Sequence, residues 1–481
     1  MSTANPAARA KPDKLLADIA AYVTGKNFGG RMARELARYC LMDSLGCAMA
    51  ALETPDCVKL LGPVVPGMVT PHGARVPGTQ LQLDPVTAAF NIGSLIRWHD
   101  FSDLWWNGGH PSDNIGGILG TADYLSRTRI AAGRKPLTMS DVMSAMIKAY
   151  EIHGVLSDKH TLNRPELGID TVGLVKIATT AVVTRMLGGG RDEIVNAVSN
   201  AVVDGHPLNI YRTSGNAGSR KSWASGDATA RAVWLAMVAM RGEMGYPHAL
   251  TAKTWGFQEV LYEGRTLDFW RPLGSYVMEN ITFKISHPAQ RSAQTAAECA
   301  VRLHPLVRHK LDDIERIELH THAVAWRNIN VTGPLRNFAA RDHCLQYIVA
   351  AGLLDGDITR ESYSDEYHAA HPRIDELRAK MVVMEDERYT RGYRDRSVRS
   401  NTNAARVVFK DGTRTPKVEI EYPIGNARRR KEGVPLLERK FEANLARRFP
   451  EKQRAAVSRL LRDQRALEAT AVNEFTDLMA I

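Results

Sequence analysis

The densest group of side chains able to transfer protons lies between residues 97 and 117, Arg-Trp-His-Asp-Phe-Ser-Asp-Leu-Trp-Trp-Asn-Gly-Gly-His-Pro-Ser-Asp-Asn-Ile-Gly-Gly. Four acidic or imidazole groups fall within twelve positions, namely His99, Asp100, Asp103 and His110. Asp113 follows them closely. Burial beside large apolar rings and fixed charges moves the pKa values of such groups into the range in which they can transfer protons during catalysis. The segment therefore predicts a catalytic loop in a cleft. The alternative to a catalytic role is a structural one for each residue: Asp113 could cap a helix, the tryptophans could fill the core, and His110 could bind a buried carbonyl.

Two helices are predicted to hold this loop. Residues 84–98 begin with Asp-Pro and continue with apolar residues at helical spacing, so a helix would deliver Asp100 at its C-terminal end. Residues 112–114, Ser-Asp-Asn, offer cap side chains for a second helix. His110 would then stand just ahead of a helix N-terminus, where free backbone N–H groups favour an anion.

A second polar loop occupies residues 211–223 and is rich in glycine, serine and asparagine. It ends in two adjacent cations, Arg220 and Lys221, at the start of a predicted helix. Loops that present cations from a rigid scaffold often bind substrate, whereas a solvated surface pair is the alternative.

The composition is that of an ordinary globular protein: 481 residues, 44% hydrophobic and 24% charged, with a formal net charge of +10. This charge favours an anionic partner, which could be nucleic acid, a membrane surface or a small polycarboxylate. The basic run at 428–431 lacks the aromatic or glycine-rich module of a nucleic-acid-binding protein, so that class remains only the alternative. The longest apolar stretches are interrupted by charged residues, which predicts no membrane span.

The five cysteines show no C-x-x-C pair and no spacing typical of metal ligands, and their odd number argues against a disulfide framework. The first twelve residues lack a hydrophobic segment and are interpreted as a loose tail rather than a signal peptide. Together these features predict a protein of the reducing cytoplasm.

Helical periodicity dominates up to about residue 275, with two helices expected over residues 13–61. Further on, strands are predicted near residues 316–320, 405–409 and 417–422, the last two joined across Asp411-Gly412, with helices at 340–352 and 373–383. The expected fold is mostly α, with a large all-helical domain and a smaller α+β lid domain. We assign residues 1–275 to the helical domain, 276–425 to the lid, and 426–481 to helices that return to the helical domain.

Several long motifs carry a resemblance to a known family. They are Asp-Phe-Ser-Asp at 100–103, His-Pro-Ser-Asp-Asn at 110–114, Arg-Lys-Ser-Trp-Ala-Ser-Gly-Asp-Ala-Thr at 220–229, Gly-Glu-Met-Gly-Tyr-Pro at 242–247, Gly-Ser-Tyr-Val-Met-Glu-Asn at 274–280, Phe-Lys-Ile-Ser at 283–286, Tyr-Pro-Ile-Gly at 422–425 and Asn-Leu-Ala-Arg-Arg-Phe-Pro at 444–450. In this order, and over nearly the full length, the chain resembles the MmgE/PrpD family.

The resemblance implies a cofactor-free lyase whose pocket lies between a helical domain and a smaller lid. By motif, the family's catalytic aspartate, histidine and two lysines fall on Asp100, His110, Lys221 and Lys284. Arg97, Arg220 and His287 are added as candidates for binding substrate. In the family a threonine is usual where Leu104 stands, an aromatic residue is common at the position of His287, and the loop before His110 is longer.

The reaction implied by the resemblance is removal of water from 2-methylcitrate to give 2-methyl-cis-aconitate in propionate catabolism, with citrate as a further substrate. Decarboxylation of cis-aconitate is the alternative within the family. Asp100 and His110 are the acid and base candidates, in either order, and the two lysines would hold the carboxylates. No cofactor, nucleic-acid partner or membrane partner is expected, and family analogy favours a homodimer. An iron–sulfur cluster has little support in the cysteine spacing, and a divalent metal on His99, Asp103 and His110 is the remaining rival.

Overall fold

Helices carry the first part of the chain in the computed structural model, which describes residues 11–26, 29–107, 109–160, 162, 166–212 and 217–481. The elements of this part are α1 Lys14–Thr24, α2 Arg31–Ala51, α3 Pro55–Val58, β1 Ala74–Arg75, β2 Gln82–Leu83, α4 Pro85–Arg97, α5 Ile115–Ala131, α6 Met139–Lys159, α7 Val172–Met186, α8 Arg191–Val203, α9 Arg220–Ala239, α10 Phe257–Val260 and α11 Tyr276–Asn280. The two helices expected over 13–61 are α1 and α2, and the helix expected from Asp84 is α4, whose first turn is capped by the Asp84 carboxylate.

The second part contains a four-stranded sheet in the order β4-β3-β5-β6. Its elements are α12 Gln294–Val307, β3 Ile314–Thr321, α13 Ala323–Ile329, α14 Phe338–Arg341, α15 Leu345–Asp355, α16 Asp365–Ala370, α17 Arg373–Ala379, β4 Met381–Glu385, α18 Glu387–Arg394, β5 Asn403–Phe409 and β6 Val418–Ile420. The hairpin predicted across Asp411-Gly412 is confirmed, since β5 and β6 pair antiparallel. The expected fold class, a large helical part with a smaller α+β part, is confirmed as well.

The prediction of a helix over residues 373–383 is wrong for its last residues. Helix α17 stops at Ala379, and residues 381–385 form strand β4, which runs parallel to β3. Val382 and Val383 are β-branched and suit a pleated surface, and pairing with a strand more than sixty residues away selects the extended form. Such a distant partner leaves no periodic signal in a short segment.

The chain then returns to the helical part through four helices: α19 Arg430–Ala446, α20 Glu451–Arg462, α21 Gln464–Ala469 and α22 Val472–Leu478. Leu437 and Phe441 of α19 are buried in the same apolar core as α2 and α4. A separate core, built from α12, α15 and the inner face of the sheet, lies in the second part. The domain limits at 275 and 425 stay a prediction, and Val277, Phe283 and Ile285, which follow the first limit, are buried in the core of the helical part. Within the described ranges, no helix is long and apolar enough to cross a membrane.

Candidate active site

Helices α4 and α9 cross very closely, and this contact sets the floor of the candidate site. A Cβ atom built on Gly93 would lie 2.9 Å from the Cα of Gly226, so both positions need the absence of a side chain. At the same crossing, the Ser222 hydroxyl donates to the Trp98 carbonyl over 2.8 Å. The first turn of α9, with Lys221, is therefore held beside the last turn of α4, with Arg97.

Asp100 follows α4 in the left-handed region, with a φ of 52°. A residue with a Cβ is strained there by about 1–3 kcal/mol, and such strain is found where the surroundings over-determine the backbone. Lys284 supplies part of that constraint, because its Nζ donates both to the Asp100 carbonyl and to Asp100 Oδ2, at 2.5 Å each. The Arg97 guanidinium donates to Asp100 Oδ1. The backbone turn thus aims the carboxylate inward between two cations.

His110 shares the same carboxylate. Its Nε2 lies 3.2 Å from Asp100 Oδ1, and its Nδ1 lies 3.3 Å from the Ser102 hydroxyl. We call Arg97, Asp100, His110 and Lys284 the inner cluster. None of the four is more than 5% exposed. The structure therefore brings together three of the four catalytic candidates and one of the three binding candidates.

Lys284 comes from a distant part of the chain and is fixed through its backbone. Phe283 donates its N–H to the Gly425 carbonyl at 3.1 Å, and a Cβ on Gly425 would lie only 1.9 Å from the Phe283 carbonyl oxygen. Lys440 of α19 donates to the carbonyls of Lys284 and Phe101, at 2.7 and 2.6 Å. One cation of the C-terminal helices thus fastens the backbone of both segments that supply the inner cluster.

The protonation states in the inner cluster follow from burial and charge. Burial by itself would raise the pKa of Asp100, but Arg97, Lys284 and His110 together hold that pKa well below its usual value. Burial, and then the charge of Arg97, lowers the pKa of His110 well below its usual value. Burial also lowers the pKa of Lys284 to about 8, although Asp100 opposes this. At neutral pH the cluster therefore holds a carboxylate, a neutral imidazole and an ammonium that gives up its proton readily.

Asp113 has a different role from the one expected. Helix α5 is preceded by a turn of 3-10 helix at Pro111–Asn114, and neither His110 nor Asn114 caps these turns with its side chain. The Asp113 carboxylate instead lies 3.5 Å from Arg97 Nε, and burial raises its pKa to about 7. The alternative that Asp113 serves only as a cap is wrong, since its side chain faces the inner cluster.

Lys221, the fourth catalytic candidate, lies in a neighbouring cluster that joins the two parts of the molecule. Its Nζ contacts both Asp342 carboxylate oxygens at 2.7 and 2.5 Å, and His343 Nδ1 at 3.2 Å. His343 Nδ1 is also 2.6 Å from Asp342 Oδ1. We call these three residues the bridging cluster. The sequence analysis missed Asp342 and His343, whose only signal is a polar pair just ahead of the apolar helix α15.

A cleft of about 940 Å³ opens between the helical part and the second part, and His343 and Arg212 lie on its wall. Four more arginines of the second part line it: Arg291, Arg327, Arg394 and Arg396. In the portion of the chain that the structure describes, none of these four pairs with a carboxylate side chain, and Arg291 Nε is buried without a hydrogen-bond partner. The cleft is therefore a cationic cavity with free hydrogen-bond donors.

The other candidates lie apart from the inner cluster. Arg220 pairs with Asp227 at 3.2 Å, its side chain is 40% exposed, and its guanidinium stacks on Trp223. His287 is buried, with Nδ1 3.6 Å from a carboxylate oxygen of Asp357. Leu104 forms an isolated antiparallel bridge with Thr282, two positions before Lys284. Gly108 and residues 213–216 of the two predicted loops lie outside the described residues.

The donors considered for a divalent metal have separate partners. His99 Nε2 lies 3.3 Å from the Thr54 hydroxyl, and Asp103 accepts from Tyr150 at 2.7 Å, whereas His110 contacts Asp100. Across the described ranges, no three His, Cys, Asp or Glu side chains are grouped so that they could hold a metal ion. All five cysteines are buried free thiols.

The chain is similar to known proteins over both of its parts. Residues 17–269 match the model of the MmgE/PrpD N-terminal domain, and residues 287–464 match that of the MmgE/PrpD C-terminal domain. The chain is 56% identical to a 2-methylcitrate dehydratase of Cupriavidus necator and 53% identical to one of Salmonella typhimurium, over 100% of both chains in each case. It is 49% identical to a mitochondrial 2-methylcitrate dehydratase of Yarrowia lipolytica, over 93% of this chain and 86% of that protein. These matches cover both parts of the molecule and the residues of both clusters, and the chain therefore belongs to the MmgE/PrpD family.

Proposed function

We propose that this protein is a hydro-lyase that removes water from 2-methylcitrate to give 2-methyl-cis-aconitate, using its own side chains and no prosthetic group. The observation that carries the proposal is the contact of Asp100 with both Lys284 and His110, in a buried cluster beside a cleft of unpaired arginines. The identity of 52–56% to bacterial 2-methylcitrate dehydratases over nearly the whole chain supports the choice of substrate.

The elimination needs a proton donor for the departing hydroxyl, because hydroxide is a poor leaving group. Lys284 suits this role, since it is an ammonium at neutral pH and its pKa of about 8 makes it a readier donor than an ordinary lysine. The Asp100 carboxylate carries no proton to give, because its pKa lies well below the usual value. We therefore assign proton donation to Lys284. Asp100 and His110 bind and orient the ammonium and the leaving hydroxyl.

The arginines of the cleft are the groups best able to bind the substrate carboxylates. Lys221 and Lys284 already have carboxylate partners within 2.5 Å, so their charge is largely matched by the protein. Arg291, Arg327 and Arg396 have no such partner in the described part of the chain, and a guanidinium binds a carboxylate through two parallel hydrogen bonds. This assignment replaces the expectation that the lysines hold the carboxylates.

The test is product analysis. Protein treated with a chelator is incubated separately with 2-methylcitrate, citrate and cis-aconitate, and the products are identified by NMR while the headspace is assayed for carbon dioxide. We expect 2-methyl-cis-aconitate from 2-methylcitrate and no gas from any substrate. Release of carbon dioxide from cis-aconitate would favour the decarboxylase of the same family. Inactivity that is reversed only by added iron would refute a reaction carried out by side chains alone.

We extend the proposal to a homodimer that acts in the cytoplasm, in propionate catabolism. An apolar segment supports self-association, because Val64, Val65 and Val69 are 81%, 60% and 83% exposed. The buried free thiols suit a reducing compartment. Sedimentation equilibrium measures the mass of the particle, and a mass near 53 kDa, that of one chain, would contradict the dimer.

A further inference from the structure

His343 is placed on the cleft by a loop of the second part, between α14 and α15, yet its partners join it to the helical part. Asp342 Oδ1 lies 2.6 Å from His343 Nδ1, and Lys221 of α9 contacts both residues. Asp342 lies closer to this nitrogen than the Lys221 ammonium does, at 2.6 against 3.2 Å, and a carboxylate at Nδ1 favours the tautomer in which Nδ1 carries the hydrogen and Nε2 is the acceptor. The pair therefore presents a basic nitrogen in a set direction.

The His343 ring reaches the cleft. The His343 side chain is 19% exposed and lines the cleft, and within the described residues its Nε2 has no hydrogen-bond partner. His110 differs in its partners and its exposure: its side chain is only 6% exposed, and both of its ring nitrogens contact protein groups. A substrate held in the cleft meets the His343 ring directly.

The inner and bridging clusters lie close enough to influence each other electrostatically. The charge of Asp100 acts on the pKa of both Asp342 and His343, and the charge of Asp342 acts on the pKa of Lys284. The pKa of His343 is lowered by burial and then by Lys221, so the imidazole is neutral, and able to accept a proton, at neutral pH. A tricarboxylate that contacts His343 in the cleft would therefore lie beside the cluster that contains Lys284.

We propose that His343 is a further catalytic residue, whose Nε2 removes the carbon-bound proton of the tricarboxylate, and that Asp342 is the residue that positions it. This inference rests on the proposed dehydration. The proton leaves the carbon next to a carboxylate and binds Nε2. The electron pair of the broken C–H bond forms the carbon–carbon double bond, and the C–O bond to the hydroxyl breaks. The hydroxyl leaves as water with the proton of Lys284. His343 then returns its proton to solvent through the cleft, and the neutral Lys284 amine takes up a proton, which restores both groups.

The test compares His343→Gln with His368→Gln. His368 is a matched control, since it also lies near a carboxylate, with Nε2 3.7 Å from Asp375 Oδ2, and its side chain is 24% exposed, but it does not line the cleft. We expect His343→Gln to lower kcat by about 10²- to 10⁴-fold with little change in KM, and His368→Gln to leave both unchanged. A primary isotope effect with substrate deuterated at the reacting carbon should increase in His343→Gln, a response that a purely structural role does not give.

Chemical rescue provides a second measurement. In His343→Ala, added imidazole should enter the cleft and restore part of the turnover, as judged by initial rates against imidazole concentration. The assignment would be overturned if His343→Gln kept a kcat within about threefold of wild type. It would also be overturned if imidazole failed to restore turnover in His343→Ala while the circular dichroism of that variant was native. Such a result with an active wild-type enzyme rejects His343 alone, whereas a wild type inactive on 2-methylcitrate rejects the proposed function.

Discussion

The cations buried beneath the cleft and those on its walls are used in opposite ways. Lys221, Lys284 and Arg97 each contact a carboxylate of the protein itself. Arg291 and Arg327 have no carboxylate partner in the described part of the chain. The buried pairs set protonation states and hold side chains in position, and the unpaired guanidinium groups remain available to an anionic ligand. Turnover should therefore depend on the paired cations, and substrate affinity on the unpaired ones.

The largest effect is expected from Lys284→Met. The change removes the proton donor and one of the two cations beside Asp100, so kcat should fall by about 10³-fold or more. Lys176→Met is the matched control, because Lys176 is also buried and pairs with Asp204 at 3.2 Å, away from the cleft. It should lose stability and keep kcat. Steady-state rates and thermal unfolding separate the two, and equal losses of kcat in both variants would contradict the role of Lys284.

His110→Ala and Lys221→Ala should each lower turnover by about 10²-fold or more, because both residues position reacting groups, but their effects on stability should differ. Removing Lys221 leaves the Asp342 carboxylate buried beside His343 alone, which costs about 3–5 kcal/mol of unfolding free energy. Removing His110 leaves Asp100 with Arg97 and Lys284, so stability should change much less. Rates and urea unfolding of both variants test this, and near-normal activity in both would refute the site.

Arg291→Gln tests the unpaired side of the comparison. The loss of a charged hydrogen-bond donor to a substrate carboxylate should raise KM by about 10- to 100-fold, with a much smaller change in kcat. Arg388→Gln is the control, since Arg388 has a 64% exposed side chain and lies outside the cleft. A fall in kcat without a rise in KM would instead show that Arg291 influences the protonation states of the catalytic side chains.

The dependence of kcat on pH tests the assignment of Lys284 as an acid. Burial lowers its pKa to about 8, so the ammonium is present below that value and is lost as the pH rises through it. We therefore expect kcat to fall by about tenfold per pH unit above about pH 8. A profile that stays flat up to the ordinary lysine range would show that another group supplies the proton.

Salt should give the smallest effect. Shortening the Debye length from about 20 Å to about 5 Å with sodium chloride weakens the attraction of a trianion to a cationic cleft, so KM should rise by about two- to fivefold. The rise should be smaller in Arg291→Gln. No change of KM in either protein would argue against the cleft as the place where substrate binds.

The extent to which the sequence predicts this molecule depends on the distance between interacting residues. Asp100 and His110 are ten positions apart in one loop, so their types and spacing indicate a site. Lys221 was indicated by the pair of cations that ends its polar loop, although nothing there points to Asp342, whereas Lys284 entered the site by family resemblance alone. Asp342 lies 121 residues from Lys221, and strand β4 pairs with a distant strand. Contacts of this kind leave no local pattern, whereas α4 and the hairpin β5–β6 are formed by neighbours in the chain and were predicted.

Lys440 has a consequence for how the protein is made. It belongs to α19, almost at the end of the chain, yet its ammonium holds the carbonyls of Phe101 and Lys284 and pairs with Asp43. During synthesis, the segments that carry the reacting groups leave the ribosome long before this residue does. A nascent chain that has not yet reached α19 should therefore bind no tricarboxylate and show no turnover, so activity appears only after Lys440 has been synthesised.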